Sequence, residues 1–178
     1  RYLHEAILDY AERLISRHDD SIESVIFSCT GTEANEIALR IARLATGGRG
    51  IICTDATYHG NSVEVSKLTR PRDNQGEVRA MPFPETYRNS STDPKQQYLE
   101  ELQAVIDSFR KDNIPFAGML VCPILANEGL PNIPAAFMPA AVDLVHEAGG
   151  LFIADEVQSG LCRTGLWWGY ELMDFVPD

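Results

Sequence analysis

At 178 residues, 44% of them hydrophobic and 23% charged, the chain matches an ordinary globular domain or part of a larger one. Its formal net charge of −11 argues against nucleic acid and anionic membranes as partners, because both would repel such a surface. No apolar run approaches the ~20 residues that a membrane-spanning helix needs.

Leu3, Ile7, Leu8, Ala11, Leu14 and Ile15 recur at helical spacing, which predicts an amphipathic helix over 2–17. The apolar run "SVIFSC" (24–29) predicts a buried strand. Ala34, Ile37, Ala38, Ile41, Leu44 and Ala45 mark a second helix, stopped by Gly47-Gly48. "GIICTD" (50–55) reads as a short strand leading into the loop "ATYHGNS". Residues 70–96, rich in Pro, Asn, Asp and Ser, read mostly as surface loop. Leu99, Leu102, Ile106 and Phe109 predict a third helix, and "FAGMLVCP" (116–123) a strand. Phe137, Ala141, Leu144, Val145 and Ala148 predict a fourth helix, and "LFIADE" (151–156) a last strand. Strands alternating with helices predict an α/β architecture with a mostly parallel sheet. In such sheets ligands bind outside the carboxyl ends of the strands. The residues of interest follow strands: Gly31-Thr32, Tyr58-His59 and Asp155-Glu156.

Thr30 to Glu33 spells T-x-x-E, a capping-box pattern in which Thr30 caps the helix and Glu33 reaches back. The same place suits an anion, since Gly31 admits a close approach and the free N–H groups and helix dipole favour negative charge. Neither a Walker loop nor a G-x-G-x-x-G fingerprint is present, so the pattern reads as a cap alone or as a phosphate site. Asp155 and Glu156 suit Mg²⁺, or one carboxylate pairs with a cationic ring nitrogen while Val157 packs on that ring. Tyr58 reads as a stacking platform or a surface aromatic, and His59 is equally open. Arg163 suits a carboxylate ligand or a structural salt bridge. His4, His18, His59 and His146 lack metal-ligand spacing, so no metal is expected. Cys29, Cys53, Cys122 and Cys162 form no CxxC pair and read as free thiols, three of them in or beside apolar runs. They point to a reducing compartment, and a cytoplasmic location is expected.

"TGTEANEIALRIAR", "TYHGNS" and "IADEVQSGLCRTG…WGYE…VPD", in that order, resemble the class III pyridoxal-phosphate-dependent aminotransferases of fold type I. The resemblance covers nearly the whole chain and implies part of the family's large cofactor-binding domain. Arg1 lies inside a helical pattern and the chain stops on "DFVPD", so both ends are expected to fall within that domain. The resemblance assigns the cofactor's phosphate to Gly31 and Thr32 and ring stacking to Tyr58, with His59 beside it. It assigns the ring nitrogen to Asp155, the opposite ring face to Val157 and the phenolic oxygen to Gln158. It further implies amine or amino acid and 2-oxo acid substrates, and a homodimer. Where the family usually has E-P-x-x-G-x-G-G, this chain has "CPILANEG" (122–129), closer to alanine–glyoxylate aminotransferase-like enzymes and to phospho-lyases of phosphorylated amines. Lys67, Lys95 and Lys111 are its only lysines, and none matches the family's Schiff-base lysine. The 178 residues alone are therefore expected to be inactive. A phosphate- or metal-binding α/β module without pyridoxal chemistry is the reading from another class.

Overall fold

Four parallel strands carry the molecule in the computed structural model, which describes residues 4–69, 71 and 76–178. They are β1 (Gly50–Thr54), β2 (Val78–Met81), β3 (Phe116–Val121) and β4 (Leu151–Ala154), in the order β2-β1-β3-β4. The helices are α1 (Glu5–Ile15), α2 (Gly31–Thr46), α3 (Pro94–Lys111), α4 (Phe137–Glu147) and the short α5 (Gly169–Leu172). A 3₁₀ turn spans Val65–Leu68.

Side chains alternate across a strand, and the core divides accordingly. Ile51 and Cys53 of β1 pack with Leu39 of α2 and with Val65 and Leu68 of the 3₁₀ turn. Ile52 points the other way, into a larger cluster built from Leu102, Ile106 and Phe109 of α3 and Phe137, Ala141 and Val145 of α4. Both faces of the sheet are covered, which is why its strands are nearly continuous apolar runs. Each large side chain enclosed this way contributes about 1.5–3 kcal/mol. From β1 the chain moves outward to β2, then returns to build β3 and β4 on the other side of β1. That reversal opens a crevice at the carboxyl ends of β1 and β3, the place where open α/β sheets bind ligands.

The expectation for the end of the second helix holds in detail, since it stops at Gly47, whose φ of 68° is left-handed. The third helix begins earlier than its apolar positions indicated, at Pro94 inside the stretch expected as loop, with Asp93 accepting from the Gln96 N–H at 3.1 Å.

Others are corrected. The predicted helix 2–17 is Glu5–Ile15, its positions 2 and 3 lying outside the described residues, and none of its residues is buried. The predicted strand 24–29 is irregular, with Ile26 62% and Phe27 46% exposed, and Cys29 exposed rather than packed. A wholly apolar run becomes a buried strand only when neighbours cover it. Among the described residues no strand pairs with this segment, and Phe27 stacks on Tyr10 instead. On α2 the buried stripe is Asn35, Leu39 and Ala42, whereas Ile41 and Leu44 of the predicted stripe face outward. The side carrying Asn35, which has hydrogen-bond partners inside, is the one that seats on the sheet.

The loop expected over 70–96 contains β2, while its positions 70 and 72–75 lie outside the described residues. Arg79 hid that strand, because its guanidinium is fully enclosed. It donates to Ser108 Oγ and Asp112 Oδ2, each at 2.5 Å, and lies 4.3 Å from the centre of the Phe109 ring.

Candidate functional site

The N-terminus of α2 faces the crevice. Thr30 is extended, with φ −147°, and its hydroxyl accepts from the Glu33 N–H at 3.1 Å. Glu33 reaches back, but to the Cys29 N–H at 2.8 Å. The capping box therefore forms with its return contact one residue further upstream. The N–H groups of Gly31 and Thr32 have no partner among the described residues, as befits the first residues of a helix.

Two glycines let the walls close. A Cβ on Gly31 would lie 2.5 Å from a methyl of Val157. A Cβ on Gly60 would lie 2.5 Å from Thr32 Oγ1, and Gly60 has a φ of +136°, which side-chain-bearing residues rarely adopt. The loop after β1 thereby lies directly against the start of α2.

Asp155 stands just past β4, its own N–H still donating to the Val121 carbonyl at 2.8 Å. The strand ladder thus fixes where its side chain begins. His59 Nδ1 meets Asp155 Oδ2 at 2.7 Å, and His59 Nε2 meets Thr57 Oγ1 at 2.9 Å. A carboxylate only accepts, so Nδ1 carries the proton toward it. Asn35 donates to the same Oδ2 at 2.9 Å, and the Val157 N–H donates to Oδ1 at 3.0 Å. Burial by itself would push the Asp155 carboxyl up. The hydrogen bond and charge of His59, with the Val157 and Asn35 donors, outweigh burial and hold it below the ordinary aspartate value. Asp155 is thus an ionised carboxylate in a nearly dry wall.

Gly31, Thr32, Tyr58, His59, Asp155, Val157 and Gln158 all line one cavity of about 190 Å³. Tyr58 and Val157 are half exposed or more, so their apolar surfaces are free to receive a ligand. Gln158 donates to Asn127 Oδ1 at 3.2 Å, and Asn127 donates to the Tyr58 carbonyl at 3.1 Å, so the loops after β1, β3 and β4 are tied together. Cys122, where the family usually has glutamate, also lines the cavity, and burial pushes its thiol up, leaving it neutral.

Other candidates are not brought here. Glu156 turns away and accepts from the Gly169 and Tyr170 N–H groups, each at 2.9 Å, so it caps α5. Asp155 and Glu156 therefore do not converge on one cation. Arg163 is exposed, does not line the cavity and forms no ion pair among the described residues. Lys67 pairs with Glu64, and neither it nor Lys95 or Lys111 lines the cavity. Sequence reasoning missed Asn35, Thr57 and Asn127. The available signal was a lone amide one turn inside a helix and a hydroxyl two residues before a histidine, neither distinctive without the fold.

The family model for class-III aminotransferases matches residues 2–178. A mitochondrial alanine–glyoxylate aminotransferase 2 homolog of Arabidopsis thaliana is 37% identical over 182 residues, covering 99% of this chain and 38% of the relative. The human mitochondrial alanine–glyoxylate aminotransferase 2 is 29% identical, covering 99% and 40%. Among solved structures, an Arthrobacter phospholyase in complex with phosphoethanolamine superposes with a TM-score of 0.93 at 34% identity, covering 99% of this chain and 44% of its own. A taurine:2-oxoglutarate aminotransferase from Bifidobacterium kashiwanohense, in complex with PLP and glutamate, gives 0.84 at 24%, covering 99% and 43%. The chain spans about two fifths of the length of the curated relatives it matches. The mitochondrial names of those relatives overturn the expectation of a cytoplasmic location. Free thiols require only a reducing environment, and that does not single out the cytoplasm.

Proposed function

The chain belongs to the class-III aminotransferase family, and from that premise we propose that its cavity is the cofactor site of a pyridoxal-phosphate-dependent aminotransferase. The whole protein would move an amino group between an amine or amino acid and a 2-oxo acid. The observation that carries this reading is the pairing of opposite features in one cavity. A helix N-terminus with free N–H groups suits an anion, and a buried ionised carboxylate suits a cationic N–H donor. A flat ring bearing a phosphate and a basic nitrogen has both. The Gly31 cradle, which a Cβ would fill, supports the same fit.

In this reading Gly31 and Thr32 hold the phosphate through their backbone, and Tyr58 and Val157 receive the two faces of the ring. Asp155 takes the ring nitrogen and His59 keeps Asp155 ionised. Gln158, already oriented by Asn127, stands near the phenolic oxygen. When bound, the cofactor supplies an electron sink for the substrate carbon that bears the amine. The chain contributes orientation, charge and exclusion of water. The covalent lysine is proposed to come from outside these residues, since none of Lys67, Lys95 and Lys111 faces the cavity. The chain is then part of the large domain, and alone it would bind the cofactor weakly and reversibly without transamination. The whole protein is proposed to be a homodimer, supported by the uncovered apolar residues of α1 and α2 (Ile7, Leu8, Ile41 and Leu44).

A second reading, a phospho-lyase acting on a phosphorylated amine, is favoured by the similarity to the Arthrobacter phospholyase and by "CPILANEG". Both readings are tested on the whole protein. Titration with pyridoxal phosphate should give a saturable visible absorption band. Amine then supports 2-oxo-acid-dependent amino transfer in the first case and release of inorganic phosphate in the second. A protein that stays colourless and indifferent to pyridoxal phosphate would sink both.

A further inference from the structure

The two oxygens of Asp155 have different surroundings. Oδ2 accepts from His59 Nδ1 and from Asn35 Nδ2, whereas among the described residues Oδ1 accepts only from the Val157 N–H. A carboxylate offers about four acceptor positions, roughly two on each oxygen. Oδ2 is therefore saturated by the protein, and the vacant position belongs to Oδ1.

Asn35 does more than fill Oδ2. The same Nδ2 donates its second hydrogen to the His59 carbonyl at 2.8 Å. Both partners only accept, so the amide nitrogen and not its oxygen must face them. One planar NH₂ group thus ties the end of β4 to the loop that carries Tyr58 and His59. Asn35 itself is buried, 5% exposed, in the stripe it shares with Leu39 and Ala42, one turn beyond Gly31. A polar side chain in such a stripe is costly unless bonded. Here both hydrogens are used, and neither Ser, with one donor, nor Asp, with none when ionised, reproduces the pair.

We propose that Asn35 is a positioning residue of this cavity: with His59 it occupies Oδ2, so that Oδ1 is the atom presented to a cationic N–H donor, and it holds the Tyr58–His59 loop against Asp155. The ligand in this proposal is the pyridoxal ring nitrogen, so that part rests on the function proposed above. The hydrogen-bond arrangement itself does not.

The test compares wild type with Asn35→Leu, which is near in size but lacks both donors, and with Asn35→Ser. Pyridoxal phosphate affinity is read across pH on the whole protein from the absorption band. Loss of a donor to a charged acceptor should weaken binding about ten- to a hundredfold in Asn35→Leu, with Asn35→Ser intermediate. Because that donor favours the ionised carboxylate, its loss should also move the acid limb of binding to higher pH. A merely structural role would weaken binding equally at every pH, and an unmoved limb overturns the proposal. Side-chain amide exchange in the unliganded wild type decides the arrangement even if Asn35→Leu does not fold. Slow exchange of both Asn35 hydrogens supports it, and fast exchange of either overturns it. A wild type that shows slow exchange but no pyridoxal phosphate binding would remove the proposed function, and with it the ligand role of Oδ1, while the tie between Asn35, His59 and Asp155 stands.

Discussion

Tyr58 and His59 are neighbours in sequence and opposites in the fold. The His59 side chain is completely enclosed, with both ring nitrogens bonded, while Tyr58 is 50% exposed and its ring has no stacking partner among the described residues. The contrast runs through the whole cavity. Its wall, made of His59 and Asp155 with Asn35 bonded to both from behind, is buried and almost saturated with hydrogen bonds. Its rim, made of Tyr58, Val157 and Gln158, is exposed and offers surface. The wall fixes a charge and a direction, whereas the rim supplies fit that a ligand completes. Alterations to the wall should therefore change chemistry and pH response, and alterations to the rim should change affinity alone.

The largest effect is expected at Asp155. Asp155→Ala in the whole protein should lower kcat about 10²–10³-fold, since a preorganised charge facing the reacting group is lost, and should also lower the melting temperature, since the His59 and Asn35 donors lose their acceptor. Turnover within a few-fold of wild type would remove Asp155 from the role proposed for it. Next comes the seam between wall and helix. In Gly60→Ala the new Cβ meets Thr32 and the backbone at φ +136° is strained, at a cost of about 1–3 kcal/mol. Thermal unfolding should report that loss, with weaker pyridoxal phosphate binding beside it. An unshifted midpoint would mean that the loop simply moves away.

A pH experiment separates wall from rim more finely. The Asp155 carboxyl is held below its ordinary value in the folded protein. Its contribution to stability is therefore complete above the ordinary aspartate value and is lost as pH falls through the lower, folded one. Asp155→Asn should remove that acid-side dependence, giving a flatter stability profile below the ordinary carboxylate range, whereas Tyr58→Phe should leave it as it is. Parallel profiles for Asp155→Asn and wild type would contradict this account of the wall.

Part of the cavity was legible in the sequence as candidate positions, because a strand's end and a helix's start fix where a side chain emerges, whereas the choice between the readings of Tyr58 and the role of Gln158 came only from the family resemblance. Asp155 followed from the apolar run before it, and Gly31-Thr32 from the cap at Thr30. Asn35 was not legible, since its importance depends on a loop 24 residues away and a strand end 120 residues away. The buried face of α2 was misjudged for the same reason. Ile41 and Leu44 are the more apolar choice, but the face with Asn35 has partners that only the fold supplies. β2 escaped notice because its Arg79 looks like a surface residue until Asp112 and Ser108 are seen around it. The run 24–29 erred the other way, its apolar character being real and its strand partner absent among the described residues.

The smallest effect is expected at Val157. Its side chain is 64% exposed, yet its methyl sits where a Cβ on Gly31 would fall, and its N–H donates to Asp155 Oδ1 at 3.0 Å. Val157→Ala removes two methyl groups and keeps the backbone donor. The Asp155 hydrogen bonds therefore persist, and the acid limb of cofactor binding should not move. About 0.8 kcal/mol for each buried CH₂, reduced because this surface is only partly covered, leaves an expected loss of a few-fold in pyridoxal phosphate affinity. The melting temperature of the unliganded protein should be unchanged, since an exposed side chain contributes little to it. Affinity measured across pH settles the matter. A uniform few-fold weakening assigns Val157 to the rim, whereas a shifted acid limb would place it in the wall and dissolve the distinction between the two.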